Sequence, residues 1–385
     1  MSMKPVLRPA DPRFSSGPTR KRPGWEPSAL SGAPVGRSHR STTGKARIAE
    51  ALERTSALLE IPHDYRVVLL PGSDTGAIEA AMWCLLGAKP VDLFAFDEFG
   101  RRWLTDARDQ LRLENLSLYE ADYGHAPDFS AARDDHDIVF TWNATAAGVR
   151  VPDADWIAAD RTGLTLCDAT SAAFAMPLAW DRLDVTTFSW QKCLGGEAQH
   201  GMAVLSPRAR ARLADYRPPW PVPRVMNLFG AAADDSAMFD GDVLNTPSLL
   251  AIEDYLDALR WAAREGGLAG LIARTEANVS ALTRWVEARD WIDFLCPDPA
   301  VRSTTSVTLK FSSPQTAELS PAEARALAAR MARLLAREDA AFDITGHKKA
   351  RPGLRIWCGP TVETDDIVAL GPWLDWAYEE ALAAG

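Results

Sequence analysis

Eight lysines occur in the chain, and one stands where a lysine could do covalent chemistry. Lys192 follows an apolar run and precedes two glycines, in Thr187-Phe-Ser-Trp-Gln-Lys192-Cys-Leu-Gly-Gly196. A lysine at a strand end with glycines behind it projects into a crevice rather than from a helix surface. Taken alone it reads more readily as a solvated loop lysine. Asp168 closes a second apolar run, Leu164-Thr-Leu-Cys-Asp168. A carboxylate there is costly to bury without a partner, although an Asx cap would also account for it. The third feature is Gly72-Ser-Asp-Thr-Gly76, between an apolar run and a helical one. Free N–H groups at a helix N-terminus bind a phosphate dianion, a nucleotide's as readily as another's. Together the three suit pyridoxal 5'-phosphate. A lysine amine joins its aldehyde as a Schiff base, a carboxylate keeps its ring nitrogen protonated, and the glycine turn receives its phosphate.

Such residues meet only if several strands end side by side. Strands are expected at 66–70, 92–96, 116–119, 138–142, 164–167, 185–189 and 202–205, with helices at 43–59, 77–86 and 100–113 and a turn across 71–76. Several of these runs are apolar on both faces, as buried parallel strands are. A Pro-rich stretch at 217–225 interrupts the pattern. Beyond it long helices dominate (249–264, 268–289, 321–337, 364–384), with strands at 306–311, 342–344 and 354–358. The fold class is therefore α/β. A large domain over 37–264 has a mostly parallel, seven-stranded-type sheet flanked by helices, and a smaller C-terminal α+β domain follows over 265–385. Residues 1–36, rich in Pro, Gly, Ser and Arg, read as an extended arm.

Composition narrows the partners. With 42 Lys+Arg against 52 Asp+Glu, the net charge is −10. Nucleic acid and anionic membrane are not default partners for such a surface. Residues 1–47 hold ten Lys/Arg and two acids, a net +8, so the remainder carries 32 − 50 = −18. That start resembles a transit peptide, but motifs needed below lie inside it. No run is long enough to span a bilayer, and the N-terminus lacks the apolar core of a signal peptide. Five cysteines form no CxxC pair and six histidines no HExxH. The expectation is a reduced, cytoplasmic enzyme with no metal site.

The motifs Phe14-Ser-Ser-Gly-Pro18, Ser38-His-Arg40, Phe188-Ser-Trp-Gln-Lys192, Asn245-Thr-Pro247 and Leu354-Arg-Ile-Trp357 are together specific. Over nearly all of residues 14–380 the chain resembles the class V aminotransferases of the fold type I pyridoxal-phosphate superfamily, and within them the phosphoserine aminotransferase family. The resemblance implies that Lys192 is the catalytic lysine and moves a proton at the substrate Cα. It implies that Asp168 pairs with the ring nitrogen, that Trp103 stacks on the ring and that Thr145 bonds its 3'-oxygen. Gln191, Asp74 and Thr75 would hold the cofactor phosphate, with Asn245 and Thr246 reaching the phosphate of the neighbouring subunit. For substrate, Arg355 would grip the α-carboxylate. His39 and Arg40 would cross a homodimer to the substrate phosphate, and His347 and Lys348 would supply further cations. Each has a plainer reading: core packing for Trp103, a turn hydroxyl for Thr145, a cap before Pro247, an edge ion pair for Arg355, and a solvated basic turn for His39 and Arg40. In some family members the glycine-rich turn carries an arginine, where this chain has Asp74.

The implied reaction moves an amino group between glutamate and 3-phosphooxypyruvate, giving O-phospho-L-serine and 2-oxoglutarate. A side activity on 3-hydroxy-2-oxo-4-phosphooxybutanoate, in pyridoxine biosynthesis, goes with bacterial relatives. The alternatives are another class V enzyme, such as an alanine/serine–glyoxylate aminotransferase or a cysteine desulfurase, and a non-catalytic nucleotide-binding α/β protein that uses only the Gly72–Gly76 turn.

Overall fold

A computed structural model of the chain describes residues 3–316 and 318–383. The large sheet contains β1 (Arg66–Pro71), β2 (Val91–Ala95), β3 (Leu116–Glu120) and β4 (Asp137–Thr141). A two-stranded ribbon, β5 (Asn143–Ala144) with β6 (Val149–Arg150), hangs from the end of β4. The sheet resumes with β7 (Thr165–Asp168), β8 (Val185–Ser189) and β9 (His200–Leu205). Its seven strands lie in the order β1-β9-β8-β7-β4-β2-β3. From β8 to β3 all pairings are parallel, and β9 runs antiparallel to both neighbours. Because successive side chains of a strand point to opposite faces, Ile138 and Phe140 join the core on one side of the sheet while Val139 joins the other. Both faces are thus dry, which explains the unbroken apolar runs.

Helices cover the two faces. They are α1 (Thr42–Leu58), α2 (Ser73–Leu85), α3 (Glu98–Thr105), α4 (Pro207–Asp215) and α5 (Leu249–Arg264). The C-terminal part has α6 (Gly267–Glu287), α7 (Pro321–Arg337) and α8 (Thr364–Ala383) around an antiparallel sheet of β10 (Ile292–Phe294), β11 (Ser306–Phe311) and β12 (Leu354–Trp357). The first residues run along this part. The Trp373 indole donates to the Leu7 carbonyl (2.8 Å), Ala10 N to Asp366 Oδ1 (2.6 Å), and buried Arg20 pairs with Asp366 (2.8 Å). The extended arm is therefore tied to its own chain, and it delivers Ser16–Pro18 to the end of β8.

Four local expectations differ from the structure. The turn expected over 71–76 is already helical from Ser73, with Gly72 in the left-handed region (φ 86°). Gly76 makes this possible, since a Cβ there would stand 2.0 Å from the Pro71 carbonyl oxygen. The helix expected over 100–113 starts earlier, because the Asp97 carboxylate caps α3, and it ends in a π turn over Asp106–Gln110. No strand forms over 342–344; Phe342 and Thr345 make isolated bridges to Arg13 and Leu354. β10 escaped notice because three residues are too few to display a period. Ala384, the end of the last expected helix, and the outer limits of the 1–36 and 265–385 spans lie outside the described residues.

One buried acid fixes where the central strands start. Asp184, 1% exposed, accepts from Arg161 (2.9 Å), Thr165 N (3.0 Å), Ser206 Oγ (2.9 Å) and Arg208 (3.1 Å). Asp184→Ala leaves the Arg161 cation buried and unpaired, at a cost of about 3–5 kcal/mol. Denaturant unfolding of the variant checks this, with Asp184→Asn expected to lose less because it keeps part of the hydrogen bonding.

Candidate active site

The C-terminal ends of β2, β4, β7 and β8 open into one cavity of about 250 Å³. Ligand sites of open α/β sheets form at such ends. Seven residues singled out in the sequence line it: Asp74, Thr75, Trp103, Thr145, Asp168, Gln191 and Lys192. Gly17, Pro18, Thr141, Asn143, Thr170 and Ser171 are also in its wall.

Lys192 follows the last turn after β8, and its Nζ donates to the Ser16 carbonyl of the arm. Gly17 packs against the amine so closely that a Cβ would lie 2.3 Å from Nζ, and its φ of 146° also favours glycine. The Lys192 pKa is lowered to about 8: burial is the largest cause, the Arg355 cation acts in the same direction, and Asp168 opposes both. An amine so placed has a sizeable neutral fraction near physiological pH, which a nucleophile or proton carrier needs and an ordinary lysine lacks.

Asp168, at the end of β7, is 4% exposed. Its Oδ1 accepts from Thr170 N (3.0 Å) and its Oδ2 from the Trp103 indole (3.2 Å). Trp103 on α3 therefore reaches the same end of the cavity as Asp168. The Thr145 hydroxyl donates to Ser171 Oγ (2.8 Å), which donates to the Asn143 carbonyl (2.8 Å), and Asn143 Nδ2 in turn donates to Thr305 Oγ1 (3.1 Å). Asp97 holds this side together. Its Oδ1 accepts from Phe99 N (2.8 Å) and Gly100 N (3.0 Å), and its Oδ2 from Ala146 N (3.3 Å). Burial pushes its carboxyl up to about 6 against the pull of those N–H groups. Sequence reasoning missed Asp97, Ser171 and the Ser16–Gly17 contact. Asp97 carried the same strand-end signal as Asp168, since it directly follows the apolar run at 92–96.

The cavity's polar chemistry is unfinished. Asp74 Oδ1, Thr141 Oγ1, Asn143 Oδ1, Thr170 Oγ1 and Gln191 Oε1 are buried without a hydrogen-bond partner, and all five residues line it. The N-terminus of α2 has no side-chain cap. Gly72 N and Ser73 N both donate to the Gln199 carbonyl (3.1 and 3.2 Å), so the next amides, of Asp74 and Thr75, are the helix-end donors left for an anion. Buried polar atoms are ordinarily paired, so this cluster fits a polar ligand with a phosphate at one end, and pyridoxal 5'-phosphate has that chemistry.

The remaining candidates lie outside the lining. Arg355 is on β12, its Nε buried without a partner, and burial lowers its pKa while Asp97 counters that. Its charge is nonetheless felt at Lys192. His347 is half-buried, and its pKa is lowered by burial and by Arg355, with Glu98 opposing. Lys348 is exposed, and it is Lys349 that reaches Glu98 (2.6 Å). His39 is buried against the start of α1, and Arg40 is exposed. Asn245 and Thr246 are exposed too, on a segment whose Asp242 pairs with Lys45 of α1 (2.6 Å) and whose Ser248 N donates to His200 (3.1 Å). The 242–248 segment thus meets α1 at Lys45 and the large sheet at His200.

A small aldehyde trapped by reduction should modify Lys192 with a half-maximal rate near pH 8, below the 10.5 of an ordinary lysine. Peptide mapping across a pH series checks the profile, and Arg355→Gln should shift the midpoint upward by removing a neighbouring cation.

No family model matches the chain. A phosphoserine aminotransferase of Methanosarcina mazei is 46% identical over 377 residues, 98% of this chain and 99% of that protein. Its counterpart in Methanosarcina barkeri is 46% identical over 376 residues, with coverage of 98% and 99%. Among solved structures, the phosphoserine aminotransferase of Cytophaga hutchinsonii matches with a TM-score of 0.78 at 20% identity, over 95% of this chain and 99% of that one.

Proposed function

This chain belongs to the phosphoserine aminotransferase family, and from that premise we propose that it transfers the amino group of glutamate to 3-phosphooxypyruvate, giving O-phospho-L-serine and 2-oxoglutarate. The observation that carries the reading is the buried amine of Lys192, its pKa lowered to about 8, facing Asp168 across a cavity of unpartnered polar atoms. Pyridoxal 5'-phosphate is the cofactor in this reading. When bound it supplies an aldehyde that takes up amino groups and an electron-withdrawing ring that eases loss of the Cα proton.

The chain's own residues do the rest. Asp168 holds the ring nitrogen, Thr145 the ring oxygen, and Trp103 covers the ring's end of the cavity. The amides of Asp74 and Thr75 and the Gln191 amide receive the phosphate. Lys192 Nζ takes the proton from the substrate Cα and returns it on the other side of the exchange, which an amine near its own pKa does efficiently. Arg355 binds the α-carboxylate, because a planar guanidinium meets a carboxylate bidentately. Cofactor and carboxylate then belong to different parts of the chain, the large domain over 37–264 and the smaller one over 265–385.

Glutamate and phosphoserine each carry a distal anion, so one cationic pocket serves both. We assign it to His39 and Arg40 of a neighbouring subunit, with His347 and Lys348 from the same chain. The reading thus includes a homodimer with shared sites, in which Asn245 and Thr246 reach the neighbour's cofactor phosphate. Their exposure, on a segment that meets α1, supports it. The 3-hydroxy-2-oxo-4-phosphooxybutanoate reaction is carried as a side activity. A cytoplasmic location fits five free, buried thiols, and no described helix is long and apolar enough to cross a membrane.

A glyoxylate aminotransferase has no use for cations at His39 and Arg40. A desulfurase needs a reactive thiolate, whereas burial pushes the Cys193 thiol up to about 12. A nucleotide-binding role for the α2 turn leaves the Lys192 amine and the Arg355 guanidinium unexplained.

Purified protein should aminate 3-phosphooxypyruvate far faster than pyruvate or glyoxylate, and Lys192→Ala should abolish turnover. Arg355→Lys should lower kcat/KM for glutamate and phosphoserine alike, by roughly 10–100-fold for a lost charge-assisted pair. Arg40→Ala should raise KM for phosphoserine with little change for a substrate lacking any distal anion, such as alanine. Unchanged phosphoserine affinity in that variant would contradict the phosphate assignment.

A further inference from the structure

Asp74 is an odd residue for a phosphate cup, since a carboxylate repels a dianion. Its surroundings direct it elsewhere. It sits in the first turn of α2, 5% exposed, and α2 packs against β7, β8 and β9. There it meets Asp168 at the end of β7, with Thr187 of β8 and Thr170 alongside. These groups are close enough to bias its protonation, yet Asp74 Oδ1 and the hydroxyls of Thr170 and Thr187 are all buried without a formed hydrogen bond. Asp168 itself is held from its other sides by Thr170 N and the Trp103 indole.

The charges facing this corner come from every element around it. β7 contributes Asp168 and the Cys167 thiol, which burial first and then the two carboxyls push upward. The β8 side contributes Lys192 and the β2 end contributes Asp97, and the Asp168 charge acts on both. The largest influences on Asp74 are burial, the Asp168 charge and the hydroxyls of Thr187 and Thr170. Two carboxylates in one dry corner do not both ionise, and one keeps a proton. Burial first, then the Asp168 charge, hold the Asp74 carboxyl well above the usual carboxylate range, and the threonine hydroxyls only partly offset this.

We propose that Asp74 is a positioning residue: it remains a neutral acid and turns its proton toward Asp168, so that the pair carries one negative charge to face the cofactor's ring nitrogen. The proposal rests on the cofactor reading above. It also limits how far the corner pulls Lys192 toward its charged form. A doubly ionised pair would hold the lysine as its ammonium, whereas a single charge leaves the amine free to lose its proton. The carboxyl in the turn then serves the ring end of the site rather than the phosphate end.

The test uses the full chain with and without pyridoxal 5'-phosphate. Infrared difference spectroscopy of the cofactor-free chain at neutral pH should show a protonated carboxyl that Asp74→Asn removes. Asp74→Asn keeps a neutral donor of the same shape, so cofactor affinity, read by tryptophan fluorescence, should stay within about threefold of the parent. Asp74→Ala should weaken it about tenfold or more, as expected for a lost buried hydrogen bond. A folded value above the unfolded one means that the parent loses stability as pH rises from acid to neutral; the slope should flatten in Asp74→Asn. A missing carboxyl signal, or an Asp74→Asn variant as weak as Asp74→Ala, would overturn the proposal. Failure of the parent to bind pyridoxal 5'-phosphate would instead overturn the cofactor reading, while the infrared signal still decides where the proton is.

Discussion

A buried amine must either shed its proton or find an anion, and the site around Lys192 is organised by that choice. Burial and the nearby Arg355 cation favour the neutral amine, and Asp168, then Cys193 and Asp97, pull the other way. The balance lands at about 8, where both forms of the amine are accessible. Everything that keeps water from the amine contributes: the arm that crosses over it, the glycine that permits the close approach, and the Trp103 indole across the cavity. The arm can do so because it is bonded to α8 along its length, so the position of one nitrogen depends on contacts that begin at Leu7.

The contrast between satisfied and unsatisfied acids separates scaffold from site. Asp184 and Asp137 are as buried as Asp74, but each has arginine partners: Asp184 has Arg161 and Arg208, and Asp137 has Arg212 at 2.9 Å. Those pairs pin the N-terminal ends of the strands. At the opposite ends, Asp74, Thr141, Asn143 and Gln191 keep atoms without partners. The same sheet is therefore closed chemically at one edge and open at the other, and the open edge is where a polar ligand gains most from binding.

Much of this was legible in the sequence, for reasons that differ by residue. Strands buried on both faces announce themselves as unbroken apolar runs, so the sheet could be read strand by strand. A charged or polar residue at the end of such a run is conspicuous, which brought Lys192 and Asp168 forward and would have brought Asp97 forward by the same rule. Tight packing was not legible: the need for glycine at Gly17 and Gly76 arises from distant or backbone atoms that no local pattern reveals. Nor does a three-residue strand such as β10 carry a period. The turn at 71–76 was misjudged because its glycines and Asp74 look like loop chemistry, when they allow a helix to start abruptly. His39, Arg40, Asn245 and Thr246 stood out only through resemblance. One chain leaves them outside its own cavity lining, and their proposed partner is a second copy.

The central claim is that Lys192 is the residue that meets the cofactor's aldehyde. The most direct measurement is reduction of the pyridoxal-phosphate-loaded protein with borohydride, followed by peptide mapping of the eight lysines. The account predicts one phosphopyridoxyl group per chain, carried on the peptide that contains Lys192. Label spread over surface lysines, or concentrated on any lysine other than Lys192, would contradict it.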